Sequence, residues 1–284
     1  MRNYIKLLRI KHYVKNLLIF IPLFFGGGIF DNEKIKNALW AMFSFCCISS
    51  AVYILNDLKD AKNDRNHPVK KNRPIANGSI KTKNAVILLV GCVVMAIAII
   101  VISSTCEKSV WGGVLFLLIY FGINALYSCG LKNKPIIDII LLTSGFIIRI
   151  FYGAFITDIQ ISEWLYLVVI SGSLYMALGK RRNEMRQQKN TREVLKYYTF
   201  SFLDKNMYVC AAMVNIFYAL WAMEFEHAKM LWSIPVFMII LMKYSLNVEK
   251  DSDGDPIEIL LQDKIIIVFC ISYIICVFVF LYFV

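Results

Sequence analysis

Apolar residues fall along this chain in long, nearly uncharged blocks, and the polar residues are gathered between them. The blocks run over about 16–30, 37–55, 85–104, 110–127, 135–156, 164–179, 207–223, 230–246 and 265–284. A backbone in lipid has to satisfy its own hydrogen bonds, so blocks of this kind predict membrane-spanning helices. The pattern therefore predicts an all-α integral membrane protein with nine transmembrane helices. The first block is short and interrupted by Pro22 and Gly26–Gly28, which blurs its ends. Met1–Lys15 reads as a basic helix start; no small-residue cleavage site of a secretory signal precedes the second block.

Composition sharpens this picture. Of 284 residues 58% are hydrophobic, above the roughly 45–50% of ordinary soluble domains. The formal net charge is +11, and its placement gives an orientation. With the N-terminus in the cytoplasm and the C-terminus outside, 26 Lys and Arg residues lie inside against four outside (Lys34, Lys36, Lys108 and Lys229), with Arg149 within a span. The basic excess thus reflects topology and anionic headgroups of a lipid bilayer, and no nucleic acid partner is expected. Most of the eight cysteines sit in apolar blocks, without metal-binding spacing or a paired framework. No soluble domain or internal repeat interrupts the chain, so residues 1–284 read as one membrane domain in the cell membrane. A homo-oligomer is left open.

The chemistry concentrates after the second block, in Asn56-Asp57-Leu58-Lys59-Asp60-Ala61-Lys62-Asn63-Asp64 and on through His67-Pro68-Val69-Lys70-Lys71-Asn72-Arg73-Pro74-Ile75-Ala76-Asn77-Gly78. If the helix continues past Leu55, Asp57, Asp60 and Asp64 fall within roughly 60° of one face. Three aligned carboxylates repel unless a cation joins them, and oxygen ligands of this kind suit Mg2+ bridging to phosphate. Asn56 adds a neutral oxygen. Lys70 and Arg73, between two prolines, are placed to meet phosphate oxygens. His67, before a proline, reads more readily as a loop-forming residue than as a ligand.

The string NDLKDAKND after the second span resembles the NDxxDxxxD motif of the UbiA superfamily of intramembrane prenyltransferases. The resemblance implies a UbiA-type helical bundle, with Asp57, Asp60, Asp64 and Asn56 as the catalytic metal-binding set. Prenyl-transferring members usually carry a second Asp-rich motif after helix six. Here the matching stretch is Gly179-Lys180-Arg181-Arg182-Asn183-Glu184-Met185-Arg186, one acid among four bases. Such a stretch suits an anion. The departure points to the branch that resembles decaprenyl-phosphate phosphoribosyltransferases, as do the ordered segments Lys11–Asn16, HPVKKNRPIANG, Tyr127–Lys132 with Asp138 and Arg149, and Gly254–Glu258 with Asp263.

That resemblance implies transfer of 5-phosphoribosyl from phosphoribosyl pyrophosphate (PRPP) to a polyprenyl phosphate, with Mg2+ as cofactor and an active site facing the cytoplasm, in cell-envelope sugar-lipid synthesis. Lys15, Asn16, His67, Lys70, Arg73, Tyr127, Lys132 and Asp138 are the expected PRPP-binding residues. Lys180, Arg181 and Arg182 are expected to cradle the lipid phosphate. Several have second readings: Lys15 as a headgroup anchor, Tyr127 as an interface residue, Asp138 as a helix-start acid. Arg149 points to a buried polar partner as much as to substrate. The acidic stretch 249–263 reads as a surface loop or lid. The competing function is prenyl transfer from a diphosphate to an aromatic or other acceptor, which needs a second acidic cluster.

Overall fold

The computed structural model describes residues 2–66, 70–103, 107–186, 193–224, 228–249 and 263–283. His67 and all but the ends of the stretch 249–263 lie outside the described residues. The main elements are α1 (Arg2–Leu8), a 3-10 stretch Ile10–Phe20, α2 (Ile21–Phe25), α3 (Asn32–Arg65), α4 (Thr82–Ser103), α5 (Glu107–Ser128), α6 (Ile137–Thr157), α7 (Glu163–Arg186), α8 (Phe200–Met223), α9 (Ser233–Glu249) and α10 (Lys264–Tyr282). Every regular element among the described residues is helical. Among the described residues, seven helices, α3 to α6 and α8 to α10, are long and apolar enough to cross a membrane.

The two other expected spans take a different form. The first is no single helix: the 3-10 stretch passes into α2 at Pro22, and Gly27, at φ 76°, turns the chain. Proline suits the first turn of a helix, and glycine carries positive φ without a Cβ clash. The sixth is α7, whose 24 residues end in the charged Lys180–Arg186 run.

The chain forms two compact units, Met1–Lys134 with Ile148–Gln160 and Pro135–Ile147 with Ile161–Val284. In the first, Ile19, Phe45, Ile48, Ile100, Leu117 and Tyr152 make the core. Gly153 lies against the backbone of Ile19, where an added Cβ would stand 2.9 Å from the Ile19 carbonyl carbon and overlap its oxygen. In the second, Tyr175, Leu178, Val194, Leu203, Met207, Tyr244 and Val248 make the core.

The helix that matters most for chemistry is α3. Asp31 caps its start, accepting from the backbone N–H of Glu33 (3.0 Å) and Lys34 (3.2 Å). Its 34 residues extend about 51 Å at 1.5 Å per residue, against a hydrocarbon core of about 30 Å. The surplus is the polar last part, Asn56 to Arg65, which continues the helix past the apolar stretch and so fixes the carboxylates on a rigid element.

Candidate active site

The first unit gathers a set of cations around the α3 carboxylates. Asp57 and Asp64 are both buried, at 3% and 4% exposure. Arg73 Nη1 lies between them, 2.7 Å from Asp64 Oδ2 and 3.1 Å from Asp57 Oδ1. Arg9 Nη2 donates to Asp57 Oδ1 at 2.6 Å. Lys132 pairs with Asp60, and Ser128 Oγ donates to Asn56 Oδ1 at 3.3 Å. The heptad-like spacing does bring Asp57 and Asp64 onto one face, and basic side chains counter the repulsion between them.

Local backbone geometry places those bases. Arg9 adopts φ 53°, ψ 47° between α1 and the 3-10 stretch, a left-handed conformation that costs a non-glycine residue on the order of 1 kcal/mol. Its guanidinium also lies over the ring of Tyr53, 4.8 Å from the centroid. Arg73 sits in a tight turn: its N–H donates to Lys70 O (2.9 Å), its own carbonyl accepts from Asn77 N (2.9 Å), and Ile80 N donates to Pro74 O (3.0 Å). Arg65 Nε reaches Ala76 O at 3.2 Å and ties the turn back to α3.

Beside Asp57 opens a cavity of about 530 Å³, a size ordinary for a small-molecule site. Among the described residues, Lys6, Arg9, Lys11, Lys70 and Arg73 line it with His12, and Asp57 is the one carboxylate in its wall. Lys70 and Arg73 are therefore brought to the carboxylates, as is Lys132. Sequence reasoning missed Arg9, Lys6 and Lys11 as site residues; the signal for them was the basic run before the first apolar block.

Other expected residues lie elsewhere. Asn16 is fully buried: its Nδ2 donates to Cys46 Sγ (3.1 Å), and its Oδ1 accepts from Arg149 Nε (2.8 Å). Arg149 also donates to Tyr120 Oη at 3.1 Å and lies over the rings of Phe45 and Tyr120. Asn16 thus serves a buried arginine and is absent from the cavity wall, which also lacks the half-buried Lys15 and Tyr127.

In the second unit, Asp138 and Arg181, expected to bind different substrates, form one buried pair with Nε to Oδ2 at 2.6 Å and neither side chain exposed. Arg181 Nη1 also reaches Glu184 Oε2 at 2.6 Å. Tyr198 Oη donates to Asp138 Oδ1 (2.6 Å) and accepts from Ile136 N (2.6 Å). Burial and the bonded carboxylate push the Tyr198 phenol up to about 12. Arg182 pairs with Asp204, while Lys180 is half-buried.

The chain belongs to the UbiA prenyltransferase family, whose pattern it matches over residues 18–262. It is 34% identical to the decaprenyl-phosphate phosphoribosyltransferase of Corynebacterium glutamicum, over 96% of this chain and 85% of that protein. It is 31% identical to the protein of the same name from Mycolicibacterium smegmatis, over 95% and 89% respectively. Its fold is that of a UbiA homologue from Archaeoglobus fulgidus solved with GPP and Mg2+, with a TM-score of 0.74 at 20% identity over 97% of this chain and 99% of that one.

The family thus raises a divalent metal, and the donors on α3 fit one in kind. They are three carboxylates and an amide oxygen, the hard ligands that Mg2+ prefers. Among the described residues no three acidic, His or Cys side chains yet converge on one point. Arg73 stands between Asp57 and Asp64, and Lys132 pairs with Asp60; a metal would take over the charge those bases balance.

Proposed function

We propose that the protein transfers 5-phosphoribosyl from PRPP to a polyprenyl monophosphate and releases pyrophosphate. The observation that carries this reading is Asp57, the first of the α3 carboxylates, in the wall of a cavity lined by five bases, a place for a polyanionic, water-soluble donor. The names of the corynebacterial and mycobacterial relatives support it. So does the Lys180–Arg186 run, which carries bases where a second acidic motif would serve prenyl transfer.

The reaction needs no strong base, because a phosphate monoester is already ionised near neutral pH. An oxygen of the lipid phosphate forms a bond to C1 of the ribose. The C1–O bond to the diphosphate breaks, and its electron pair leaves with pyrophosphate. The anomeric carbon passes through an oxocarbenium-like state and inverts. Arg9, Arg73 and Lys70 orient the donor and stabilise the charge growing on the leaving group, the electrostatic contribution that dominates such transfers. Asp57, Asp60, Asp64 and Asn56 would hold Mg2+, which supplies further charge to the diphosphate when bound. Lys132, beside Asp60, supports the same face.

Lys180 and Arg182 meet the lipid phosphate in this reading, and Arg181 holds their helix in place through Asp138. The chain works as one membrane domain of nine spans, with its N-terminus and active site on the cytoplasmic side, as the charge bias argues. The test is a donor assay on purified protein in detergent. Ribose label from PRPP should enter the lipid phase with a polyprenyl monophosphate, and stop with EDTA. Label moving only from a prenyl diphosphate to 4-hydroxybenzoate would overturn the reading.

A further inference from the structure

Among the described residues the cavity wall carries five bases and one carboxylate, and Asp57 is already paired with two of them, Arg9 and Arg73. Lys6 and Lys11 stand apart from that arrangement: both are exposed, one on α1 and one at the start of the 3-10 stretch, yet both face the same cavity as Asp57. Concentrated like charge in one concavity repels itself and is relieved by a bound anion. A ligand whose diphosphate lies at the α3 carboxylates would still leave these lysines uncompensated unless it carried a second anionic end.

We propose that Lys6 and Lys11 form a phosphomonoester subsite that takes the 5-phosphate of a sugar-phosphate donor while its diphosphate lies toward Asp57. This deepens the function proposed above and rests on it for the identity of the donor. PRPP has two anionic ends separated by one ribose ring, and the cavity wall carries Arg9 and Arg73 paired with Asp57 together with the exposed Lys6 and Lys11. A prenyl diphosphate has a single anionic pole and an apolar tail, and it offers these lysines nothing to bind. The subsite is therefore a specificity element: it selects a donor phosphorylated at both ends. Lysine suits the task, being a mobile point charge that meets a terminal phosphate without demanding a fixed fork geometry.

The same chemistry is offered by an anionic lipid headgroup, so the experiment separates the two sources. Full-length protein in neutral phosphatidylcholine nanodiscs is titrated with ribose 5-phosphate, and separately with pyrophosphate plus Mg2+. Wild type should bind both. The double variant K6Q/K11Q should bind ribose 5-phosphate at least tenfold more weakly, keep pyrophosphate affinity within threefold, and show an unchanged melting temperature. K6R/K11R should restore ribose 5-phosphate binding to within threefold of wild type. No binding of ribose 5-phosphate by wild type, or an equal loss of both ligands in K6Q/K11Q, would overturn the subsite. So would a variant whose only change is weaker retention on phosphatidylglycerol vesicles, which would make these lysines headgroup anchors. Ribose 5-phosphate binding that responds to the lysines without any phosphoribosyl transfer would count against the proposed function and leave the subsite standing. Transfer with lysine-insensitive binding would do the reverse.

Discussion

Arg181 and Asp138 hold each other in complete isolation from solvent, guanidinium Nε to carboxylate Oδ2 at 2.6 Å. Two charges taken out of water together are tolerable; one alone is not. Removing either partner should destabilise the protein by about 3–5 kcal/mol. Arg181→Met and Asp138→Asn are therefore each expected to lower the melting temperature in detergent markedly. The double variant should recover part of the loss. A melting temperature unchanged in both single variants would show that the pair contributes nothing to the fold and would reopen Arg181 as a substrate residue.

Tyr198 extends the same network and gives it a pH dependence. Its folded-state pKa is raised to about 12, from an ordinary value of about 10. A raised phenol favours the protonated folded form, so this contribution is complete below about pH 10 and is lost as pH climbs from about 10 to 12. Tyr198→Phe removes the titration and also the acceptor of Ile136 N–H. Ile136 is β-branched and sits at φ 69°, a conformation that costs about 1–3 kcal/mol and needs such support. The variant should melt lower at pH 8, and its stability should fall less steeply between pH 10 and 12. Parallel curves for variant and wild type across that range would refute the coupling.

The Lys180–Arg182 run illustrates what sequence reading reaches. Consecutive bases after a span look like an anion cradle, but Asp138 lies 43 residues from Arg181 and Asp204 lies 22 from Arg182. Periodicity carries no information about pairs at such separations. Helical periodicity did place Asp57 and Asp64 on one face, because that relationship lies within one helix. Apolar blocks located the long helices for the same local reason. Arg9 was out of reach: its partner is 48 residues away and its direction depends on a left-handed turn that no motif announces.

Gly153 offers a steric test of the first unit. Its Cα hydrogen faces the Ile19 carbonyl, and the neighbouring atoms are backbone, which cannot swing aside as a side chain would. Gly153→Ala is expected to cost about 1–3 kcal/mol through overpacking, despite alanine's better helix propensity. A melting temperature equal to or above that of wild type would mean that the 3-10 stretch yields freely. The position of Arg9, which lies at the start of that stretch, would then be less fixed than its hydrogen bonds imply.

The two outer acids of the α3 face and the middle one should separate in their effects. Asp57 is 3% exposed and paired with both Arg9 and Arg73, whereas the Asp60 side chain is 22% exposed and, among the described residues, pairs with Lys132. Under the metal assignment, Asp57→Asn and Asp60→Asn should each reduce phosphoribosyl transfer at least about a hundredfold, the scale of losing a key electrostatic group. Stability should respond differently. Asp57→Asn leaves two guanidinium groups facing a neutral amide in a buried setting, and a lowered melting temperature is expected. Asp60→Asn touches only a partly exposed pair, worth about 1 kcal/mol or less, so its melting temperature should stay near that of wild type. Measuring both quantities on both variants decides the matter. Near-normal turnover in the two would end the carboxylate-metal assignment, while a folded, inactive Asp60→Asn would tie the loss to chemistry and not to the scaffold.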